Sequence, residues 1–452
     1  MTHTTALERV QACLTRVDRD NATLRALICV DTDGATRAAR DADARRAQGR
    51  LLGPLDGVPV VIKDNIDTAG LRTTYGSNFF REHVPAVDAE VVRRLRAAGA
   101  VLVGKANLQE FAFGIRSTSP IGGQVRNPWD LTRIPGGSSG GSAVALATGM
   151  ADLALGTDTG ASIRLPASLV GVSGLRPTFG CVSNRGTFPL SPSMDTVGPM
   201  ARRVEDLAHL FAVISGHDSE DPDSAIRELP DPLEGLHDGI AGVRIGRLRL
   251  HYDEDLSSDV RAAVDRAAQD LTSLGAEVVD LDVPEVLGVT DAAALILLCD
   301  ACATHAQRLQ AESTLWSSQA LERLRKGLQF SGVDYAQAAR QREPWCHALR
   351  KVFRSVDLLL SPTSPMVAPA IEDPRSLFEL SRALSRNTLP GSFGRIPGLA
   401  IPCGFSSEGL PIGMQLEAAW WNEPLLLRTG VAYQALTDWH LRLPPLAEAN
   451  EG

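Results

Sequence analysis

The stretch from residue 116 to residue 164 constrains this chain more than any other. Residues 116–140 form a long polar run rich in Gly, Pro, Asn and Ser, with no helix or strand periodicity. A run of that kind inside a compact chain is usually functional. It ends in Gly136-Gly137-Ser138-Ser139-Gly140-Gly141-Ser142. After a helical pattern over 143–150 and a short buried strand over 151–155 comes a second loop, Gly160-Ala161-Ser162-Ile163-Arg164. Such loops, at junctions between elements, place hydroxyls and free backbone N–H groups at one point. Upstream, a turn at Asp56-Gly57 leads into an apolar strand, Val58 to Ile62, which runs straight into Lys63. A buried lysine is costly without partners, and desolvation disfavours its charged form. Hydroxyls, N–H donors and a lysine of lowered pKa are the parts needed for covalent acyl transfer with an oxyanion site.

Each part alone has a plainer reading. A strand-end lysine is most often a surface residue, and GGSSGG most often a flexible loop or a phosphate cradle. The GxxxxGK[ST] spacing of a nucleotide-binding loop is absent, as are GxSxG and HExxH. The nine histidines (3, 83, 209, 217, 237, 251, 305, 347, 440) all lie outside the two loops. A Ser-His-Asp triad therefore has no centre here, whereas a Ser-Lys arrangement needs no histidine.

Around the loops the pattern is α/β. Helices are expected over 5–17 (Leu7, Val10, Cys13, Leu14 and Val17 inward), 33–48, 88–98, 202–214, 257–273 and 423–434. Strands are expected over 100–104, 243–250, 276–283, 356–360, 399–405 and 413–418, and 215–240 reads as a surface excursion. Residues 285–350 lack a β rhythm and read as mostly helical. The whole is expected to be one large mixed α/β domain over 1–452, with 285–350 as a variable insertion shaping a substrate pocket.

Composition excludes several classes. A net charge of −9 disfavours non-specific nucleic-acid binding. The N-terminal residues are charged throughout and lack the apolar core of a signal peptide, and no stretch of about eighteen uncharged apolar residues is read from the sequence. Seven scattered cysteines suit a reducing compartment, so a cytoplasmic protein is expected. Cys299 and Cys302 form a CxxC, but no second pair or nearby His cluster completes a zinc set, and plain packing is the expected role. No metal or organic cofactor is expected.

The segment Ile134 to Ala167, IPGGSSGGSAVALATGMADLALGTDTGASIRLPA, resembles the signature of the amidase signature family. The resemblance extends to PLDGVPVVIKDNI (54–66), GKANLQEFAFG (104–114), VRNPWD (125–130), GVSGLRPTFGCVS (171–183), SMDTVGPMA (193–201), DLLLSPTSP (357–365) and IPCGFSSEGLPIGMQL (401–416). It implies a large mixed β-sheet covered by helices on both sides. It also implies a Ser–cis-Ser–Lys triad, which falls on Ser162 as nucleophile, Ser138 as proton relay after a cis bond from Gly137, and Lys63 as neutral base. The oxyanion hole falls on the backbone N–H groups of Thr159, Gly160, Ala161 and Ser162. Where the family usually has Gly-Gly-Ser, this chain has Gly160-Ala161-Ser162. Alanine supplies the same N–H but does not adopt positive φ cheaply. Ser139, and an Asp158–Arg164 ion pair, are the implied supports.

Family members mostly hydrolyse carboxamides through an acyl-enzyme; some act on esters, carbamates or ureas. One complexed member makes amidated transfer RNA with two partner subunits and holds its amino-acid substrate with an Asp. Ser385 stands at that position here. The expectation is an amidase for a small apolar or aryl carboxamide. The alternatives are a carbamate (urethane) or ester hydrolase and a glutamine-dependent amidotransferase subunit. Candidate pocket residues are Phe113 and Trp129, near the loops, and Trp316 and Tyr335, with Leu295 to Leu297, in the insertion. The expected partners are a small-molecule amide or carbamate substrate, with no nucleic acid and no membrane, for a monomer or homodimer.

Overall fold

The computed structural model describes residues 4–310 and 313–448. Its strands are β1 (Leu27–Val30), β2 (Pro59–Lys63), β3 (Val101–Ala106), β4 (Thr118–Ser119), β5 (Gly123–Gln124), β6 (Leu153–Asp158), β7 (Ser173–Arg176), β8 (Thr196–Ala201), β9 (Arg244–Leu248), β10 (Glu277–Leu281), β11 (Leu358–Pro362), β12 (Gly398–Phe405) and β13 (Pro411–Ala418). Eleven of them form one mixed sheet in the order β1-β3-β2-β6-β8-β7-β12-β13-β11-β9-β10, and β4 and β5 form a small hairpin apart from it.

Every residue of β2, β3, β6 and β8 is buried. Such runs arise where helices cover both faces of a sheet. The strand period of two assigns alternate residues to opposite faces. Val60 and Ile62 pack with Val91, Val92 and Leu95 of the helix Glu90–Ala97 and with Leu207 and Phe211 of Val204–Ile214. Val61 packs the other way, with Val10, Leu14 and Val17 of Ala6–Leu24 and with the helix Gly140–Ala147. The first helix runs on to Leu24, beyond the expected end near 17, and is started by a Thr5/Glu8 capping box.

Two helices begin at the Gly-Ser loops, Gly140–Ala147 and Arg164–Val170, and every residue of both is buried. The first can sit this deep only because it begins with glycine. A Cβ on Gly141 would lie 2.3 Å from the Asn107 carbonyl oxygen and 2.4 Å from that of Ala26.

Residues 285–350 are mostly helical: Val289–Thr304, Ser318–Gly327, Gly332–Arg340 and Arg342–Val352. Pro284–Thr304, which carries Glu285, Asp291 and Asp300, is a helical stretch long and apolar enough, by length and composition, to cross a membrane. In the fold it is a packed helix. It lies against Ser318–Gly327, Gly332–Arg340 and Leu389–Phe393. Cys302 Sγ is 3.2 Å from the Leu324 carbonyl across one of these contacts, which is a packing role for the CxxC.

Candidate active site

Lys63 is the last residue of β2 and Asp158 the last of β6, its parallel neighbour. The two Gly-Ser loops fold back over these strand ends. Lys63 is fully buried, and its Nζ lies 2.7 Å from Ser138 Oγ, 2.7 Å from Thr157 Oγ1 and 3.4 Å from the Thr157 carbonyl. The Gly137–Ser138 peptide is cis. Burial pushes the Lys63 amine well below its ordinary range, and the more distant carboxylates of Asp158 and Asp195 only partly offset this. A neutral amine beside a hydroxyl can accept a proton through it.

Ser139 ties the two loops together. Its N–H donates to the Ser162 carbonyl at 3.1 Å, and its hydroxyl bridges the Thr157 N–H and carbonyl, each at 3.3 Å. Ser162 follows at the head of the helix Arg164–Val170, and its hydroxyl has no hydrogen-bond partner among the described residues. It faces a cavity. Ala161 is not among the residues with positive φ, so the departure from Gly-Gly-Ser carries no backbone strain, and its methyl becomes part of the cavity wall. Gly160 is constrained differently: a Cβ there would lie 2.8 Å from Leu389 Cδ2. Thr159 is held by its hydroxyl, which donates to Asp195 at 2.5 Å. Asp195 also accepts the N–H groups of Leu190 and Ser191, and burial pushes its carboxyl up to about 6.

Asp158 and Arg164 form a buried ion pair, Nε to Oδ2 3.0 Å, and the same oxygen accepts the Ile163 N–H at 3.2 Å. Arg164 also donates to Gln415 at 2.8 Å and Ser392 at 2.6 Å. Arg176 approaches Asp158 from the other side at 3.6 Å. Burial pushes the Asp158 carboxyl up, but the two guanidiniums outweigh it and hold the group below its ordinary range. The second loop is thereby pinned to β13 and the helix Leu389–Phe393.

The cavity over Ser162 is walled by Phe113, Ile115, Leu190, Leu297, Leu298, Phe378 and Leu389, with Arg323, Ser381, Arg382 and Ser385 among them. A larger, arginine-rich cleft of about 780 Å³ lies at the opposite ends of β2 and β6 and contains none of these groups. Of the aromatic residues expected in the pocket, only Phe113 lies on this wall. Trp129 is turned away, with Nε1 donating to the Val170 carbonyl at 2.8 Å and its ring against Phe405. Trp316 packs with Phe79, Phe111 and His305, in one buried cluster with the wall residues Phe113, Leu190 and Leu298 but not itself on the wall. Tyr335 is spent on Asp300, at 2.9 Å. Within 295–297 only Leu297 reaches the cavity. Thr157 and Arg323 were not read from the sequence. Thr157 carries the signal of standing one residue before Asp158; Arg323 carries none, being one arginine among several on an amphipathic helix.

A buried amine hydrogen-bonded to a serine, two interlocked serine loops and a set of backbone N–H groups thus lie together beside a cavity, with no histidine among the residues of its wall. The comparisons with known proteins make this specific. The model of the Amidase family matches residues 8–427, and the chain belongs to that family, the amidase signature hydrolases, whose mixed-sheet architecture it shares. It is similar to a subunit of the glutamyl-tRNA(Gln) amidotransferase of Chloroflexus aurantiacus, at 43% identity over 98% of this chain and 95% of the relative. A solved structure, described as a vestigial protein complex revealing the evolutionary origins of an s-triazine catabolic enzyme, superposes with a TM-score of 0.91 at 37% identity, covering 96% of this chain and 95% of the other. A 6-aminohexanoate cyclic dimer hydrolase complexed with substrate superposes with a TM-score of 0.88 at 27% identity, covering 99% and 96%. The chain is accordingly an enzyme of a C–N bond-cleaving hydrolase family.

Proposed function

We propose that this enzyme hydrolyses the C–N bond of a small amide or carbamate with an apolar or aryl body, through an acyl group carried on Ser162. Ser162 Oγ attacks the carbonyl carbon; its proton passes to Ser138, and the Ser138 proton to Lys63. The N–H groups of Thr159, Gly160, Ala161 and Ser162 receive the developing oxyanion. Collapse breaks the C–N bond, and Lys63 returns the proton through Ser138 to the leaving amine. Water, activated by the same relay, then releases the acid and frees Ser162. The observation that carries this reading is the 2.7 Å contact between the Lys63 amine and Ser138, in a pocket where burial lowers the amine's basicity. The apolar cavity wall, and the likeness to a hydrolase of a small cyclic amide, support the substrate class. On the same reading the whole chain is one catalytic unit, with 285–350 supplying Leu297, Leu298 and Arg323 to the pocket. A fluorophosphonate probe should label Ser162, and a panel of small amides, esters and carbamates should reveal turnover. Labelling of a different residue, or full activity in S162A, would overturn the assignment.

A second reading, the amidase subunit of a glutamine-dependent amidotransferase, is favoured by relatives of that kind over nearly the whole chain. Against it, no Asp or Glu lies on the described cavity wall, and Ser385 donates its hydroxyl to the Ser381 carbonyl at 2.6 Å instead of offering a carboxylate to an amino-acid ammonium. Steady glutamine hydrolysis, measured as ammonia release, would favour this second reading.

A further inference from the structure

The cleft of about 780 Å³ at the far ends of β2 and β6 takes no part in the mechanism above. Three distant segments build it. The helix Ala6–Leu24 brings Arg9, Arg16 and Arg19. The end of β8 and the helix Val204–Ile214 bring Arg202, Arg203, Asp206 and His209. His440, Leu441 and Leu443 come from the C-terminal part. Leu55, Val58, Leu146 and Leu153, all buried, form an apolar base. Arg9 pairs with Asp152, and Arg19 with Asp20; Arg202 donates to the His440 and Arg442 carbonyls. Arg16 and Arg203 make no side-chain hydrogen bond or ion pair among the described residues. Set against Asp152, Asp206 and the Asp20 behind Arg19, the five arginines leave an excess of two positive charges, in a chain of net charge −9. Gly149, with φ +69°, leaves room for one of them: a Cβ there would lie 3.1 Å from Arg16 Cδ. His440 is only 4% exposed, and its Nδ1 is buried without a hydrogen-bond partner among the described residues. Burial, and then Arg203 and Arg202, push its ring down to about 4, so the imidazole is neutral and its Nδ1 can carry a hydrogen to donate.

Like charges brought into one cleft by separate segments repel unless an anion lies among them. Guanidiniums match the oxygens of a phosphate, and a buried imidazole nitrogen left without a partner is costly. A phosphate monoester carries about −1.5 to −2 at neutral pH, which balances the excess in the cleft. We infer that the cleft binds a phosphate monoester of a small organic molecule, with its phosphate among Arg16, Arg203 and the Nδ1 of His440 and its body on the apolar base. The volume is ample for a ligand of nucleoside-monophosphate size. The inference stands apart from the acyl-transfer reading, because the cleft shares no lining residue with the cavity over Ser162.

Calorimetry of the full chain at low ionic strength tests this with inorganic phosphate, phenyl phosphate and AMP, against phenol, adenosine and benzoate. The expected result is that phosphate binds, that phenyl phosphate or AMP binds more tightly because its body meets the apolar base, and that phenol and adenosine do not bind. R16M and R203M should each weaken the monoester about tenfold, and the double variant about a hundredfold. R323M, on the wall of the other cavity, should bind it as the wild type does. Failure of all three phosphates to bind at millimolar concentration would overturn the inference. So would unchanged affinity in both R16M and R203M, or a loss confined to R323M, which would place the phosphate over Ser162. Benzoate binding as tightly as phenyl phosphate would overturn the phosphate class, and a short single-stranded RNA binding more tightly than AMP would overturn the small-molecule class. Circular-dichroism melts of R16M and R203M should match the wild type, since neither side chain holds a partner in the fold. The rate of Ser162 labelling by a fluorophosphonate should also be unchanged in both, which separates a binding role from a structural one.

Discussion

Two lysines, Lys63 and Lys105, sit on neighbouring parallel strands, both fully buried, and serve opposite ends. Lys105 is enclosed by acceptors: the Ile66 carbonyl, Thr68 Oγ1 at 2.9 Å and Thr73 Oγ1 at 3.0 Å, with Asp64 close by. Burial lowers its amine to about 8, and Asp64 and Asp67 resist the fall. Lys63 has two hydroxyls and one long carbonyl contact, and burial pushes its amine well below its ordinary range. Each amine meets two hydroxyls and a carbonyl, but the Thr68 and Thr73 hydroxyls donate to the Ile66 and Leu71 carbonyls, so toward Lys105 they can only accept, which suits an ammonium beside a carboxylate. Burial alone therefore does not make a base. On the proposed mechanism, the partners decide whether a buried lysine holds a fold or moves a proton.

The largest expected contrast is chemical. K63A should lose about 10⁴-fold or more in kcat/KM for amides, and far less for activated esters, which do not need a proton returned to the leaving group. K105M should keep amide turnover per folded molecule within about threefold. Similar losses in the two variants, measured on one amide, would dissolve the distinction. The next effect is on stability. K105M removes the three bonds that Lys105 donates to Thr68, Thr73 and the Ile66 carbonyl, and should cost about 2–4 kcal/mol in urea denaturation.

The pH dependences should also part. Because Lys63 must be neutral, kcat/KM should fall as pH drops through its free-enzyme pKa and plateau on the alkaline side. Lys105 titrates near 8 when folded and near its ordinary 10.5 when unfolded, so between those values the unfolded chain binds more protons. Stability should therefore rise with pH across that window in the wild type and lose that contribution in K105M, which melts at several pH values would read out. The smallest effect falls on Thr157. T157V removes one of the two short contacts to Lys63 and should lower kcat by about tenfold while shifting the alkaline plateau.

How much of this was legible follows the same division. Lys63 was readable because an apolar strand ran straight into it, and the loops because glycine and serine clustered at element junctions. The amidase resemblance supplied the roles. Thr157 and Arg323 were hidden because their meaning is a matter of which partners lie nearby, and those come from residues far along the chain. Among the strands, β8 was missed because Gly198 and Pro199 read as breakers, although Pro199 sits in register opposite Leu155 within the sheet. Strand β1 is only four residues long, and β7 begins Ser-Gly, so neither gave a periodic signal. The aromatic residues of the insertion looked like pocket walls. Trp316 instead pairs with other rings, and Tyr335 finds an acid for its hydroxyl, as buried aromatic residues with polar tips usually do.

The pinning of Arg164 to Gln415 and Ser392 has a consequence for how the molecule is made. Lys63, Ser138 and Ser162 all lie within the first 162 residues and leave the ribosome early. Strand β7, which follows the second loop, pairs on one side with β12, and the bonds from Arg164 to Ser392 and Gln415 reach residues on either side of β12 in the chain. A nascent chain that has exposed Ser162 has not yet acquired these clamps. The second loop can thus be tied early to Ser139 and Asp158, but it gains its bonds to Ser392 and Gln415 only when the C-terminal part of the chain arrives and closes the sheet.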